Sequence, residues 1–157
     1  NLQSLQDRRS SSCLSRTSDH RVALIAFLLQ LTGMGEHNET VLVLGASDRP
    51  ERYAYKALVQ LVDHGHPVIP VHPRLHEIAG HPVVASLSEV NVPIDTVTLY
   101  VNPSISEPLA NELIALKPRR VIFNPGTESP TLAKRLQDAG IATEDACTLV
   151  LLGTGQF

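Results

Sequence analysis

Cysteine is nearly missing from this chain. Only Cys13 and Cys147 occur in 157 residues, too few for a disulfide framework or a four-cysteine zinc site. A reducing, cytoplasmic setting is the matching expectation. Positive charge is not in excess either: 13 Lys and Arg against 16 Asp and Glu leave a net charge of −3. That balance supplies no global electrostatic reason to bind nucleic acid. No apolar run approaches the roughly 18 residues that cross a bilayer, which argues against a membrane partner. Charged residues make up only 18% of the chain, yet 43% are hydrophobic, and so apolar a chain is not a disordered one. What is plentiful is punctuation, with 11 prolines and 9 glycines cutting the chain into many short elements. The length suits one domain with a real core.

Residues 1–33 differ from the rest. They carry Arg8, Arg9, Arg16 and Arg21, the run Ser10-Ser11-Ser12, and an apolar stretch from Val22 to Leu31. An Arg/Ser-rich leader has the form of a transit peptide, and a basic segment before about ten apolar residues that of a signal peptide. Gln30-Leu31-Thr32-Gly33 offers no small-residue cleavage site for the latter. Met34 is the only methionine, and regular patterning starts a few residues after it. Residues 1–33 are therefore read as a leader or non-native extension, expected to be poorly ordered. An amphipathic N-terminal helix is the competing reading. The folded domain is placed at 34–157.

From Thr40 onward, strand and helix signals alternate. Thr40–Leu44 is a short β-branched run ending at Gly45, as suits a strand buried on both faces. Between Arg52 and Asp63 the residues Ala54, Ala57, Leu58, Leu61 and Val62 share a helical face, and Gly65 is the stop. Pro67–Val71 and Thr96–Val101 read as the next strands. The helix expected after them carries Ile105, Leu109, Leu113 and Leu116 on one face, with Ser104 and Glu107 at capping-box spacing and Pro118 closing it. Arg120–Phe123 is a fourth strand. Ser129-Pro130 is an N-cap followed by proline at the first helical position, Gly140 ends that helix, and Ile141–Glu144 is a weaker fifth strand. Repeated β-α-β predicts an α/β fold: a Rossmann-like, doubly wound parallel sheet of about five strands in a single domain.

In such a sheet, ligands bind beyond the carboxyl ends of the strands, where strand order reverses. After the first strand comes Gly45-Ala46-Ser47-Asp48-Arg49-Pro50 and then a helix, whose free N–H groups suit an anion. The full GxGxxG pattern is absent, and a strand-to-helix turn that holds only water is the plain alternative. After the second strand, enzymes that use NAD carry an Asp or Glu for the ribose hydroxyls. Here the chain reads Val71-His72-Pro73-Arg74, with no carboxylate; an arginine or histidine suits a ribose that carries a phosphate, which disfavours NAD and leaves NADP or coenzyme A. Two more strands end in Asn102-Pro103 and Asn124-Pro125-Gly126. With His72-Pro73 these form three X-Pro kinks on one edge, a shelf suited to adenine or a pantetheine arm.

Gly45-Ala46-Ser47, Pro70-Val71-His72-Pro73, Ile78-Ala79-Gly80, Tyr100-Val101-Asn102-Pro103, Asn124-Pro125-Gly126-Thr127-Glu128 and Ala146-Cys147-Thr148 together resemble the small stand-alone CoA-binding-domain proteins. These are similar to the nucleotide-binding domain of the succinyl-CoA synthetase alpha subunit. The resemblance covers about Val41 to Phe157. It implies a Rossmann-type fold that holds coenzyme A or acyl-CoA, with the pyrophosphate at Gly45 to Pro50. It further implies the phosphorylated ribose near Pro73 and Arg74, adenine beside Val101, Asn102 and Pro103, and pantetheine along Asn124, Pro125 and Gly126. Members often carry Pro-Val-Asn-Pro where this chain has His72, and Gln-Pro-Gly where it has Asn124.

Catalysis is not implied with it, because the phosphorylated histidine of the synthetase lies in a domain absent here. Zinc needs three or four convergent ligands, whereas His64 and His66, or His72 and His76, supply only pairs. Ser47 lacks the G-x-S-x-G elbow of a hydrolase. Cys147, after the last strand, is read either as a thiol facing pantetheine or as a small buried apolar residue. The expected function is a small non-catalytic CoA-binding protein, and the alternative is an NADP-binding module or oxidoreductase subunit. The tail Thr148–Leu152 is too apolar to dangle. It is expected to pack on its own domain or to form a homo-oligomer contact.

Overall fold

The computed structural model describes residues 38–157, which form one compact unit. The readings made for the leader, Met34, Cys13, His20 and His37 lie outside the described residues. In chain order the elements are β1 (Val41–Leu44), α1 (Tyr53–Asp63), β2 (Val68–Val71), a two-residue hairpin of β3 (Glu77–Ile78) and β4 (His81–Pro82), and β5 (Thr96–Leu99). Then come α2 (Pro103–Ser106), α3 (Ala110–Leu116), β6 (Arg120–Phe123), α4 (Pro130–Asp138), β7 (Ala142–Asp145) and α5 (Thr148–Thr154). Five strands make an all-parallel sheet in the order β2-β1-β5-β6-β7. The chain starts at β1, steps outward to β2, then crosses back to β5 on the other side. The order therefore reverses between β1 and β5, and a cleft belongs there.

The period-two alternation of the strands divides the core into two layers. Val41 and Val43 face α1 and α5, where Leu58, Leu61 and Leu152 are buried. Leu42 and Leu44 face the other side and join Val97, Leu99, Leu113, Phe123, Leu132 and Leu136 beneath α3 and α4. Ser129 caps α4 as expected, its hydroxyl accepting from Leu132 N–H (3.1 Å) ahead of Pro130. The apolar tail forms α5 and packs on its own domain, burying Leu151 and Leu152.

One helix departs from expectation. The segment after β5 is not a continuous helix with a Ser104/Glu107 capping box. Asn102 is its N-cap residue, and a 3₁₀ turn over Glu107–Leu109 separates α2 from α3. Pro108 has no N–H to donate, so the α-helical ladder cannot run through it. Glu107 instead accepts from the Ser129 hydroxyl (2.6 Å), tying this segment to α4. Ile105, expected on the inward face, is 50% exposed.

At the amino ends of the strands the structure is closed. Glu39, nearly buried, pairs with Arg119 and with Arg120 (3.1 Å) and accepts from the Thr96 hydroxyl (2.7 Å). Arg120 also reaches Glu144 (3.4 Å), and its guanidinium lies 4.7 Å from the centre of the Phe157 ring. The carboxyl ends are open.

Candidate functional site

Three loops meet at Gly45. Its N–H and that of Ala46 both donate to Val71 O (3.1 and 3.2 Å), which ties the end of β1 to the end of β2. Gly45 has φ +84°, and a Cβ there would lie 2.5 Å from Val101 Cγ1 and 3.0 Å from Tyr100 C. Only glycine lets the loop after β5 come this close. Ser47 then accepts from Arg49 N–H (3.2 Å), shaping the turn into α1. Arg52 stands at the N-cap without a side-chain cap, so the first N–H groups of α1 have no side-chain acceptor.

The loop after β2 is shaped by His72. Its Nδ1 accepts from Arg74 N–H (3.1 Å) and Leu75 N–H (3.2 Å), and its backbone N–H donates to Val84 O (3.1 Å). The imidazole thus does what an asparagine carbonyl does in an Asx turn, which explains how histidine is accommodated in this kink.

These loops border a cleft of about 1060 Å³, at the upper end of the usual range for small-molecule sites. Arg49, Arg52 and Arg74 line its β1 and β2 side, and none has a carboxylate partner among the described residues. Asp48 and Glu112 also line it. The β5 side is apolar, built from Val101, Ile105, Leu109 and Leu87. Tyr100 contributes to the same wall. Its hydroxyl is buried beside the Thr98 and Thr148 hydroxyls, which bond each other (2.7 Å). Burial pushes its pKa up to about 12, so it stays protonated.

Of the expected site residues, Gly45, Ala46, Ser47, Asp48, Arg49, Pro73, Arg74, Val101 and Asn102 gather around this cleft. Pro50 and Pro103 flank it without lining it. Asn124, Pro125 and Gly126 stand apart. Asn124 is buried, its amide donating to Thr98 Oγ1 (2.6 Å) and Leu99 O (3.0 Å) and its carbonyl accepting from Thr148 N–H (2.9 Å). Every strong polar position of that side chain is committed to joining β5, β6 and α5, so the third kink is a brace within the core. Cys147 is the half-buried N-cap of α5 and does not line the cleft. Sequence reasoning missed Arg52, Leu87, Ile105, Leu109 and Glu112 among the cleft residues. Arg52 alone carried a signal, standing at the start of the helix pattern one turn from Arg49. His64 Nδ1 pairs with Gln60 O (2.7 Å) and His66 Nδ1 with Glu39 O (3.3 Å). Among the described residues no three of His, Cys, Asp and Glu gather as a metal site would require.

A family model described as CoA binding domain matches residues 39–153. The chain is similar to a crystallised uncharacterized protein, with 43% identity, a TM-score of 0.72, and coverage of 76% of this chain and 98% of that one. It is also similar to cell-free ID.343 from Thermus thermophilus, at 32% identity and TM-score 0.70, over 87% of this chain and 98% of that one. The uncharacterized protein YneT of Bacillus subtilis (strain 168) is 35% identical over 65 residues, 41% of this chain and 48% of that protein. The match thus spans about half the length of that curated relative.

Proposed function

The chain belongs to the CoA-binding domain family, and from that premise we propose that it holds coenzyme A or an acyl-CoA in the switch-point cleft and performs no reaction on it. One observation carries the reading: three arginines without carboxylate partners among the described residues surround a glycine turn and the start of a helix. Unpaired guanidinium groups seek phosphate oxygens, which accept from them in pairs, and coenzyme A brings a pyrophosphate and a ribose phosphate. The residues fit such a group. The Gly45–Arg49 turn with Arg52 would hold the pyrophosphate against the N–H groups that open α1. Pro73 and Arg74 would border the phosphorylated ribose. Val101 and Asn102, with Leu87, Ile105 and Leu109, would line the adenine. With Asn124 committed to the core and the Gly126 N–H donating to Glu128 (2.8 Å), the exposed surface of Pro125 and Gly126 is what remains on that side for pantetheine.

Bound coenzyme A supplies a thiol that carries acyl groups as thioesters. The cleft side chains support a holding role. Ser47 Oγ accepts within its own turn, His72 Nδ1 is occupied by two backbone donors, and Tyr100 keeps its proton at neutral pH. No nucleophile is paired with a general base among the cleft residues described here.

Calorimetry of the full chain with coenzyme A, dephospho-coenzyme A and NADP tests the reading. Micromolar binding of coenzyme A is expected, weaker for the dephospho form, and Arg74→Ala should narrow the gap between the two. No binding of coenzyme A, or tighter binding of NADP, overturns it.

A further inference from the structure

His72 follows β2 directly and lines the cleft. A neutral imidazole has one donor and one acceptor. Here the acceptor is already committed, because Nδ1 receives the N–H groups of Arg74 (3.1 Å) and Leu75 (3.2 Å). Two donors converging on Nδ1 leave no place for a proton on it, so the ring hydrogen sits on Nε2. The polar edge that His72 has left to offer the cleft is therefore an N–H. In sheets of this topology the residue at the end of the second strand meets the ribose, and a carboxylate there accepts from ribose hydroxyls. A donor at that place shifts the preference, because a phosphate oxygen is a stronger acceptor for it than a ribose hydroxyl.

We infer that His72 is a specificity-determining residue of the ribose subsite, acting beside Arg74. Its Nδ1 shapes the turn that carries Arg74, and its Nε2–H donates to a phosphate on the ribose. Neither function is available from the other ring tautomer. The inference rests on the proposed occupancy of the cleft by a CoA-class nucleotide.

Three variants separate the two functions. His72→Asn keeps a short-range acceptor for the turn and an N–H to donate. His72→Asp keeps the acceptor and loses the donor, and His72→Leu loses both. Long-range proton–nitrogen NMR of the imidazole in the ligand-free protein should show the Nε2–H tautomer. In calorimetry, the preference for coenzyme A over dephospho-coenzyme A should stay within about threefold in His72→Asn and fall about tenfold or more in His72→Asp and His72→Leu. In His72→Asp the affinity for the dephospho form should hold, whereas His72→Leu should weaken both ligands as the turn loosens. A preference that survives in His72→Leu, or an Nδ1–H tautomer, overturns this inference alone. Failure of the unaltered protein to bind either nucleotide overturns the cofactor reading and this one with it.

Discussion

Gly45 and Gly126 both sit at positive φ after a strand, at +84° and +89°, but their surroundings differ. A Cβ on Gly45 would strike Val101, whereas one on Gly126 would meet nothing within 4 Å. Gly45→Ala therefore combines left-handed strain with overpacking and should cost about 2–4 kcal/mol. Gly126→Ala carries the backbone strain alone, about 1–2 kcal/mol. Denaturant midpoints of the two variants compare these directly, and the first should also lose coenzyme A binding because the turn must move off Val101. A glycine after a β-run was visible in the sequence at both positions. The difference between them was not, because it depends on Val101, more than fifty residues away from Gly45.

Elements in this fold are short, and their ends are held by side chains from other elements. Asn124 shows this best: one buried amide group joins β5, β6 and the start of α5. Asn124→Ala strands Leu99 O and Thr148 N–H without partners and should destabilise the protein by about 2–4 kcal/mol. Coenzyme A affinity should change less than about threefold in the folded fraction. Equilibrium unfolding and calorimetry on the same sample separate the two effects. An X-Pro kink at a strand end is visible in sequence, and this chain shows three, two of them after an asparagine. Which asparagine turns inward depends on what lies across the sheet, and only Asn124 has Thr98 and Thr148 beside it. Pro108 was equally visible, yet its effect on the helix was overlooked because the apolar spacing of Leu109, Leu113 and Leu116 runs on past it.

At the scale of the whole molecule the two edges of the sheet do different work. Four residues of strand, about 13 Å, separate a closed amino edge from the open carboxyl edge. Glu39 pairs with both Arg119 and Arg120, and Glu144 shares Arg120. Glu39→Gln should lower stability by roughly 2 kcal/mol, as removal of one member leaves a partly buried guanidinium underpaired. It should leave coenzyme A affinity unchanged, because the cleft lies at the other edge. Thermal unfolding with and without the ligand checks both halves. The same polarity explains why the arginines divide as they do, with Arg119 and Arg120 paired at the bottom and Arg49, Arg52 and Arg74 without carboxylate partners around the cleft.

Local chemistry alone was enough to locate every strand of the parallel sheet, the Ser129-Pro130 helix start and the turns that carry Gly45, Arg49 and Arg74. These follow from periodicity and backbone preference within a few residues, which need no knowledge of the rest of the chain. The order of the strands, the apolar wall of Leu87 and Leu109, the inward turn of Asn124 and the tautomer of His72 came only with folding. Each depends on groups brought together from distant segments, and no short stretch of sequence records which neighbours a side chain will meet.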